Sequence, residues 1–174
     1  MTSDEVIVAF YLGDRSDSEG RMIEDMWLWD YRRLEYTHDY IQWLFPLKQK
    51  SGFNRNAPVL NEQIIQAFNT NEQLKMRLLK SLKLMLGFYG LQCNEAGSAD
   101  IEITKSDEYP ERKTNWINLR NHNYLRLTRI LTSLKLLGLG KYALALYKCL
   151  EQIYSEESKS IGSETYSYWK KAVA

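Results

Sequence analysis

Apolar side chains recur every three or four residues over much of the chain, the spacing that places them on one face of an α-helix. The clearest case is a stripe formed by Leu74, Leu78, Leu82 and Met85. The same spacing occurs in four further stretches, residues 23–45, 61–68, 121–137 and 142–153. We therefore expect an all-α protein of about six to eight helices.

Polar residues at the edges of these stretches predict where the helices begin. Thr70 and Gln73 match a capping box, in which the two side chains satisfy backbone N–H groups reciprocally. Asn61 and Asn121 are expected to cap the helices that follow them, because a short side-chain oxygen accepts a hydrogen bond from the first turn.

The hydrophobic pattern does not determine the secondary structure of three segments. Residues 6–12 begin with β-branched side chains and predict a short extended piece, although their length does not exclude a helical turn. Residues 23–45 end at Pro46, and Thr37 leaves open whether they form one long helix or two. Residues 93–112 are polar and are expected to form a long loop or a short extended excursion.

Length and charge narrow the class of protein. A chain of 174 residues predicts a single domain, 1–174. Its 23 basic and 22 acidic residues give a net charge of +1, which argues against broad electrostatic binding of nucleic acid. No apolar run approaches the ~18 residues of a membrane-spanning helix. We expect a soluble protein of the cytoplasm, or of the nucleus if the source is eukaryotic.

The sequence offers little for metal or cysteine chemistry. Cys93 and Cys149 lie far apart and are expected to be free thiols in a reducing compartment. Neither stands in a metal-ligand spacing, and no glycine-rich loop that would cradle phosphate is present. We therefore predict no metal, no cofactor and no catalytic residues.

A polar stripe runs along the helix predicted after Asn121. His122, Arg126 and Arg129 follow one another at helical spacing, and two guanidinium groups beside an imidazole suit a carboxylate or phosphate. A second histidine, His38, is expected on the apolar face of the 23–45 stretch. The candidate ligand-binding residues are His38, Gln42, Trp43, His122, Asn123, Arg126 and Arg129.

A structural role for these side chains is the alternative. His38 would then hydrogen-bond inside the core, as buried polar groups must. Arg126 and Arg129 would pair with carboxylates of a neighbouring helix, for example Glu35 or Asp39.

Four segments carry a resemblance to a known family. They are residues 34–46, which contain the run Ile-Gln-Trp-Leu-Phe-Pro, and residues 84–90, 115–116 and 122–131. In this order they resemble the conserved N-terminal region of the opioid growth factor receptor family. The resemblance implies a receptor-like protein, because vertebrate members are described as binding the pentapeptide Met-enkephalin and restraining cell proliferation at the nuclear envelope and nucleus. The chain is similar to short members that consist of the shared domain alone.

From this resemblance we expect a non-catalytic domain that binds a peptide or protein partner of unknown identity. The alternative is a pocket for a small anion, or an enzyme not recognised from its motifs, that uses the two histidines and two arginines. A concave pocket joining these side chains would favour the alternative, and an exposed apolar patch would favour a partner surface. Nucleic-acid binding is the least favoured function.

Overall fold

A computed structural model of the chain describes residues 3–52, 54–95 and 100–174. Within these ranges it contains ten helices and one two-stranded sheet. The protein is 62% helical, so the fold is predominantly helical without being purely all-α. The elements in chain order are α1 (Ser3–Tyr11), α2 (Ile23–Trp27), α3 (Tyr31–Tyr36), α4 (Ile41–Leu44), α5 (Glu62–Thr70), α6 (Glu72–Tyr89), β1 (Leu91–Asn94), β2 (Glu102–Lys105), α7 (Tyr109–Trp116), α8 (Asn123–Leu136), α9 (Gly140–Ile161) and α10 (Ser163–Ala172).

The expectation of an extended piece at residues 6–12 is wrong, because this segment lies largely in α1. Ile7, Phe10 and Tyr11 are fully buried, and their spacing of three and four residues places them on one helical face. Burial of that face outweighs the modest helix penalty of the β-branched residues.

The stretch 23–45 is neither one helix nor two, since it forms α2, α3 and α4. Asp30 starts α3 as its N-cap, and its carboxylate accepts a hydrogen bond from the Arg33 backbone N–H at 2.8 Å. Thr37 is extended and ends α3 instead of beginning a helix. These local breaks explain why the described residues contain more helices than the periodicity predicted.

Of the caps predicted for α5 and α6, the first is confirmed and the second is wrong by one residue. Asn61 caps α5, and its side-chain oxygen accepts from the Ile64 N–H at 2.9 Å. In α6 the cap is Asn71 and not Thr70, because the Asn71 side chain accepts from the N–H of Gln73 at 2.9 Å. The Thr70 hydroxyl instead donates to a carbonyl of α5, the helix that Thr70 ends.

The polar segment 93–112 contains a hairpin, which agrees with the predicted extended excursion. Strands β1 and β2 pair antiparallel, with Leu91 opposite Lys105 and Cys93 opposite Ile103. Ile103 is 4% exposed, so one face of the hairpin is buried. Residues 96–99 of this segment lie outside the described part of the chain, and the segment ends within α7.

The chain divides into two compact units, each with its own core. Unit 1 comprises the chain up to Leu82 together with Leu136–Gly138, and its core includes Phe10, Tyr11 and Phe68. Unit 2 comprises Lys83–Lys135 and Leu139–Ala174, and its core is centred on aromatic side chains that include Tyr89, Trp116 and Trp169. None of the helices described is long and apolar enough to cross a lipid bilayer.

Candidate functional site

The predicted site residues Gln42 and Trp43 lie in α4 of unit 1, a helix of four residues. Every residue from Ile41 to Pro46 is buried, so this short helix has no solvent face onto which a polar side chain could turn. Hydroxyl groups fix both ends of the segment. The Tyr40 hydroxyl donates to the Leu34 carbonyl at 2.8 Å, and the Tyr11 hydroxyl donates to the Leu44 carbonyl at 2.5 Å.

Two side-chain polar atoms of α4 lack hydrogen-bond partners among the described residues. They are the amide oxygen Oε1 of Gln42 and the indole nitrogen Nε1 of Trp43. Gln42 is 7% exposed and Trp43 is 3% exposed, so bulk water does not compensate them. Buried polar groups are nearly always paired in folded proteins, and an unpaired one costs about 1–3 kcal/mol. Two of them on consecutive residues mark α4 as an unusual part of the core.

Two other buried tryptophans of the chain show the ordinary arrangement. The Trp116 indole donates to the Tyr89 carbonyl at 3.0 Å, and the Trp169 indole donates to the Tyr124 carbonyl at 3.2 Å. Both residues are fully buried, as Trp43 nearly is. The unpaired indole is therefore a property of the Trp43 position and not of tryptophan in this fold.

His38 does not lie where the periodicity placed it. It is exposed and sits between α3 and α4, outside any helix, so its predicted place on an apolar helix face is wrong. The adjacent Asp39, suggested as a partner of the α8 arginines, accepts a hydrogen bond from Arg21 at 2.8 Å.

Arg21 belongs to a charged network that the sequence analysis missed. The buried carboxylate of Asp17 accepts hydrogen bonds from the backbone N–H groups of Glu19 and Arg21, each at 2.9 Å. Arg21 forms salt bridges with Asp17 at 2.6 Å and Asp39 at 2.8 Å. Burial lowers the pKa of Arg21, but the two carboxylates outweigh this effect and raise it. The network closes the loop before α2 and is structural.

The remaining predicted residues lie on or beside α8 of unit 2. Asn121 caps this helix as expected, with its side-chain oxygen accepting from the Asn123 N–H at 2.9 Å. Asn123 is fully buried, and its own oxygen accepts from the Tyr89 hydroxyl at 3.2 Å and from Arg126 Nη1 at 3.5 Å. Unit 2 thus brings Asn123 and Arg126 together.

The two arginines and the histidine of the predicted stripe differ in how deeply they are buried. Arg126 is 6% exposed, Arg129 is half-buried, and His122 is exposed just before the helix begins. Burial lowers the pKa of Arg129 to about 10, so its guanidinium stays charged at neutral pH while losing much of its hydration. Arg126 and Arg129 therefore form a largely buried polar edge of α8, and His122 is not part of it.

The protein is predominantly helical, and its candidate site residues carry hydrogen-bonding and cationic side chains. Among the described residues, no three His, Cys, Asp or Glu side chains are grouped so that they could hold a metal ion. No solved structure significantly matches the chain.

The comparisons with known proteins establish the family. Residues 2–174 match the model of the opioid growth factor receptor (OGFr) conserved region, and the chain therefore belongs to this family. It is 34% identical over 172 residues to the human opioid growth factor receptor, covering 95% of this chain and 25% of the human protein. It is 35% identical over 137 residues to opioid growth factor receptor-like protein 1 of Xenopus tropicalis, covering 77% of this chain and 26% of that protein. The chain thus spans about a quarter of the length of the curated relatives that it matches.

Proposed function

We propose that this domain binds a peptide or protein partner without catalysing a reaction, and that α4 contributes to the binding site. The observation that carries the proposal is that Trp43 Nε1 and Gln42 Oε1 are both buried and both lack a hydrogen-bond partner in the part of the chain that the structure describes. One is a hydrogen-bond donor and the other an acceptor. A peptide backbone offers both acceptors and donors, so separate backbone groups of a ligand would satisfy the two atoms.

The energetic reasoning favours a ligand over a purely structural role. A core that leaves two polar groups unpaired loses stability, so each such group calls for an explanation, of which a functional role is one. Since both side chains are more than nine-tenths buried, the segment around α4 must open locally for a ligand to reach them. Local opening of short elements costs less than global unfolding, and ligand-binding segments are drawn from this low-stability range.

The names of the relatives supply the first ligand to test. They are opioid growth factor receptors and a receptor-like protein, and the family resemblance implies the pentapeptide Met-enkephalin. A pentapeptide carries backbone amide groups that could hydrogen-bond to Trp43 Nε1 and Gln42 Oε1 of α4. For this chain we propose a peptide ligand without specifying its sequence.

Calorimetric titration of the whole chain with Met-enkephalin and with unrelated pentapeptides tests the proposal. Trp43→Phe removes the indole N–H and keeps an aromatic ring, and loss of one buried hydrogen bond should weaken binding about five- to 150-fold. Trp116→Phe is the matched control, because that indole is already paired within the protein. Equal affinity of wild type and Trp43→Phe for every peptide that binds would refute the role of α4.

A small anion bound at α8 is the second candidate function. It is favoured by the burial of Arg126 and by the desolvated charge of Arg129, whose pKa burial lowers to about 10. A phosphate or carboxylate beside these groups would stabilise the charged guanidinium forms through charge-assisted hydrogen bonds. This candidate uses unit 2 alone.

Thermal unfolding in phosphate, sulfate and acetate tests the anion candidate. An anion that binds the folded state raises Tm in proportion to the logarithm of its concentration above Kd. The increase should disappear in Arg129→Gln and persist in Arg32→Gln, a control that removes an exposed arginine of α3. If both variants respond to phosphate as the wild type does, the anion candidate is wrong.

A further inference from the structure

A second feature of unit 1 has the composition of a protein-binding surface. It consists of Trp27, Leu28, Met76, Arg77 and Lys80, which we call the Trp27 surface. Trp27 is half-buried at the end of α2. Its indole N–H donates to the Ser81 hydroxyl at 3.0 Å, which fixes the ring.

Two cations from α6 lie over this one ring. The Lys80 ammonium is 4.6 Å from the ring centroid, and the Arg77 guanidinium carbon is 4.9 Å from it. Cation–π contact holds long basic side chains in place at an aromatic face. Tryptophan and arginine are also the residues most enriched among the energetically important positions of protein interfaces.

Arg77 is fixed by further contacts. Its Nη2 pairs with the Glu24 carboxylate at 2.7 Å, and its Nε donates to the Tyr11 carbonyl. Gly13 makes this possible, because a Cβ atom there would lie 2.2 Å from Glu24 Oε1 and 2.9 Å from Arg77 Nη2. Trp27 and Arg77 are thus held in one arrangement before any partner arrives, which lowers the entropic cost of binding.

Two exposed apolar side chains are close in sequence to these groups. Leu28, next to Trp27 in sequence, is 85% exposed, and Met76, one helical turn before Lys80, is 69% exposed. Single exposed apolar residues are common, but here one follows Trp27 directly in sequence and the other precedes Arg77 on α6. Methionine is flexible and polarizable, and it is frequent on surfaces that bind peptides.

The charges of the surface indicate the chemistry of its partner. Arg77 forms an ion pair with Glu24 at 2.7 Å, and the same carboxylate also interacts electrostatically with Lys80. Lys80 itself has no carboxylate within ion-pair distance among the described residues. A carboxylate of a partner would complete the charge pairing at Lys80. A nucleic-acid ligand fits this surface less well, because it needs contacts from several cations to its phosphates and would not bury the exposed Leu28 and Met76 side chains.

We infer that the Trp27 surface docks an acidic, amphipathic segment of a protein partner. Apolar side chains of that segment cover Leu28 and Met76, and one of its carboxylates pairs with Lys80. None of these residues belongs to the α4 site, so the inference goes beyond the function proposed for α4.

The test uses a synthetic helical peptide of about twelve residues, built from glutamate and leucine at amphipathic spacing. The whole chain is labelled with ¹⁵N-tryptophan, and the indole signals are assigned by single Trp→Phe variants. Adding the peptide should shift the Trp27 indole signal, and the affinity should fall as salt is raised. A peptide with lysine in place of glutamate should leave the signal unchanged.

Charge reversal with a matched control decides the outcome. Lys80→Glu should weaken binding at least about tenfold, while Lys141→Glu makes the same change at an exposed lysine of α9 and should not. Leu28→Ser should also weaken binding, and Trp43→Phe should leave it unchanged, which separates this surface from the α4 site. Equal effects of Lys80→Glu and Lys141→Glu, or tighter binding of an oligonucleotide at the Trp27 signal, would overturn the inference.

Discussion

Replacing Trp43 by phenylalanine should destabilise the protein less than the same replacement of Trp116. Trp43 is 3% exposed and Trp116 is fully buried, so both replacements delete the same atoms from a closely packed environment. The cost of the smaller ring is therefore similar in the two variants. What differs is the indole N–H, which is unpaired in Trp43 and bonded to the Tyr89 carbonyl in Trp116.

The size of the difference follows from these hydrogen bonds. Trp116→Phe leaves the buried Tyr89 carbonyl without this donor, at a cost of about 1–3 kcal/mol. Trp43→Phe removes a buried donor that had no acceptor, which relieves a penalty of similar size. Adding the two effects gives a difference in the free energy of unfolding of at least about 2 kcal/mol between the variants.

Urea unfolding of both variants measures this difference. With a slope near 2 kcal/mol per molar urea, the midpoint for Trp43→Phe should lie about 1 M above that for Trp116→Phe. Trp169→Phe is a second control, because its indole is also paired, with the Tyr124 carbonyl. A Trp43→Phe midpoint at or below those of the two paired positions would refute the reasoning, since it would mean that Nε1 of Trp43 is satisfied in solution.

Three further predictions concern the backbone, a helix cap and a thiol. Gly13→Ala should lower stability by about 1–3 kcal/mol, because its φ is +82° and the new methyl group would displace the ends of the Glu24 and Arg77 side chains. Gly20→Ala, at a φ of +79° with no atom within 4 Å, should cost only about 1 kcal/mol, and Tm values that rank the two the other way would contradict this. Asn71→Ala should cost about 1 kcal/mol through loss of the α6 cap, whereas Thr70→Ala should change the urea midpoint little. Burial raises the pKa of the Cys149 thiol from 9.0 to about 11, so the unfolded state loses this proton first and stability should fall by up to about 2 kcal/mol between those pH values. Cys149→Ala should flatten that alkaline fall in Tm, and an unchanged slope would count against the assignment.

Local features of the fold could be predicted from the sequence because they act within a few residues. Asn61 and Asn121 cap their helices through N–H groups two or three positions ahead, so the residue type and its place suffice. The division of residues 23–45 was missed for the opposite reason. The apolar spacing continues across the ends of α3 and α4, so it does not show where one helix ends and the next begins. The start of α3 is set instead by the carboxylate of Asp30, its N-cap.

The candidate site could be predicted only in part. Gln42 and Trp43 were selected, but not the fact that their polar atoms are buried and unpaired. An indole N–H finds its acceptor far along the chain, 54 residues away for Trp27, 27 for Trp116 and 45 for Trp169. No periodicity reports on such distant pairs. For the same reason the contact of Lys80 with Trp27 had no sequence signal.

The indole signal of Trp43 in ¹⁵N-tryptophan-labelled protein tests the central claim most directly, because it observes the proposed donor itself. As Met-enkephalin or another peptide that binds is added to saturation, the Trp43 N–H should move downfield, as a new hydrogen bond requires, and its exchange with solvent should slow. The Trp116 signal should stay in place, since its acceptor is internal. A Trp43 signal that is unchanged at saturating peptide would contradict the account.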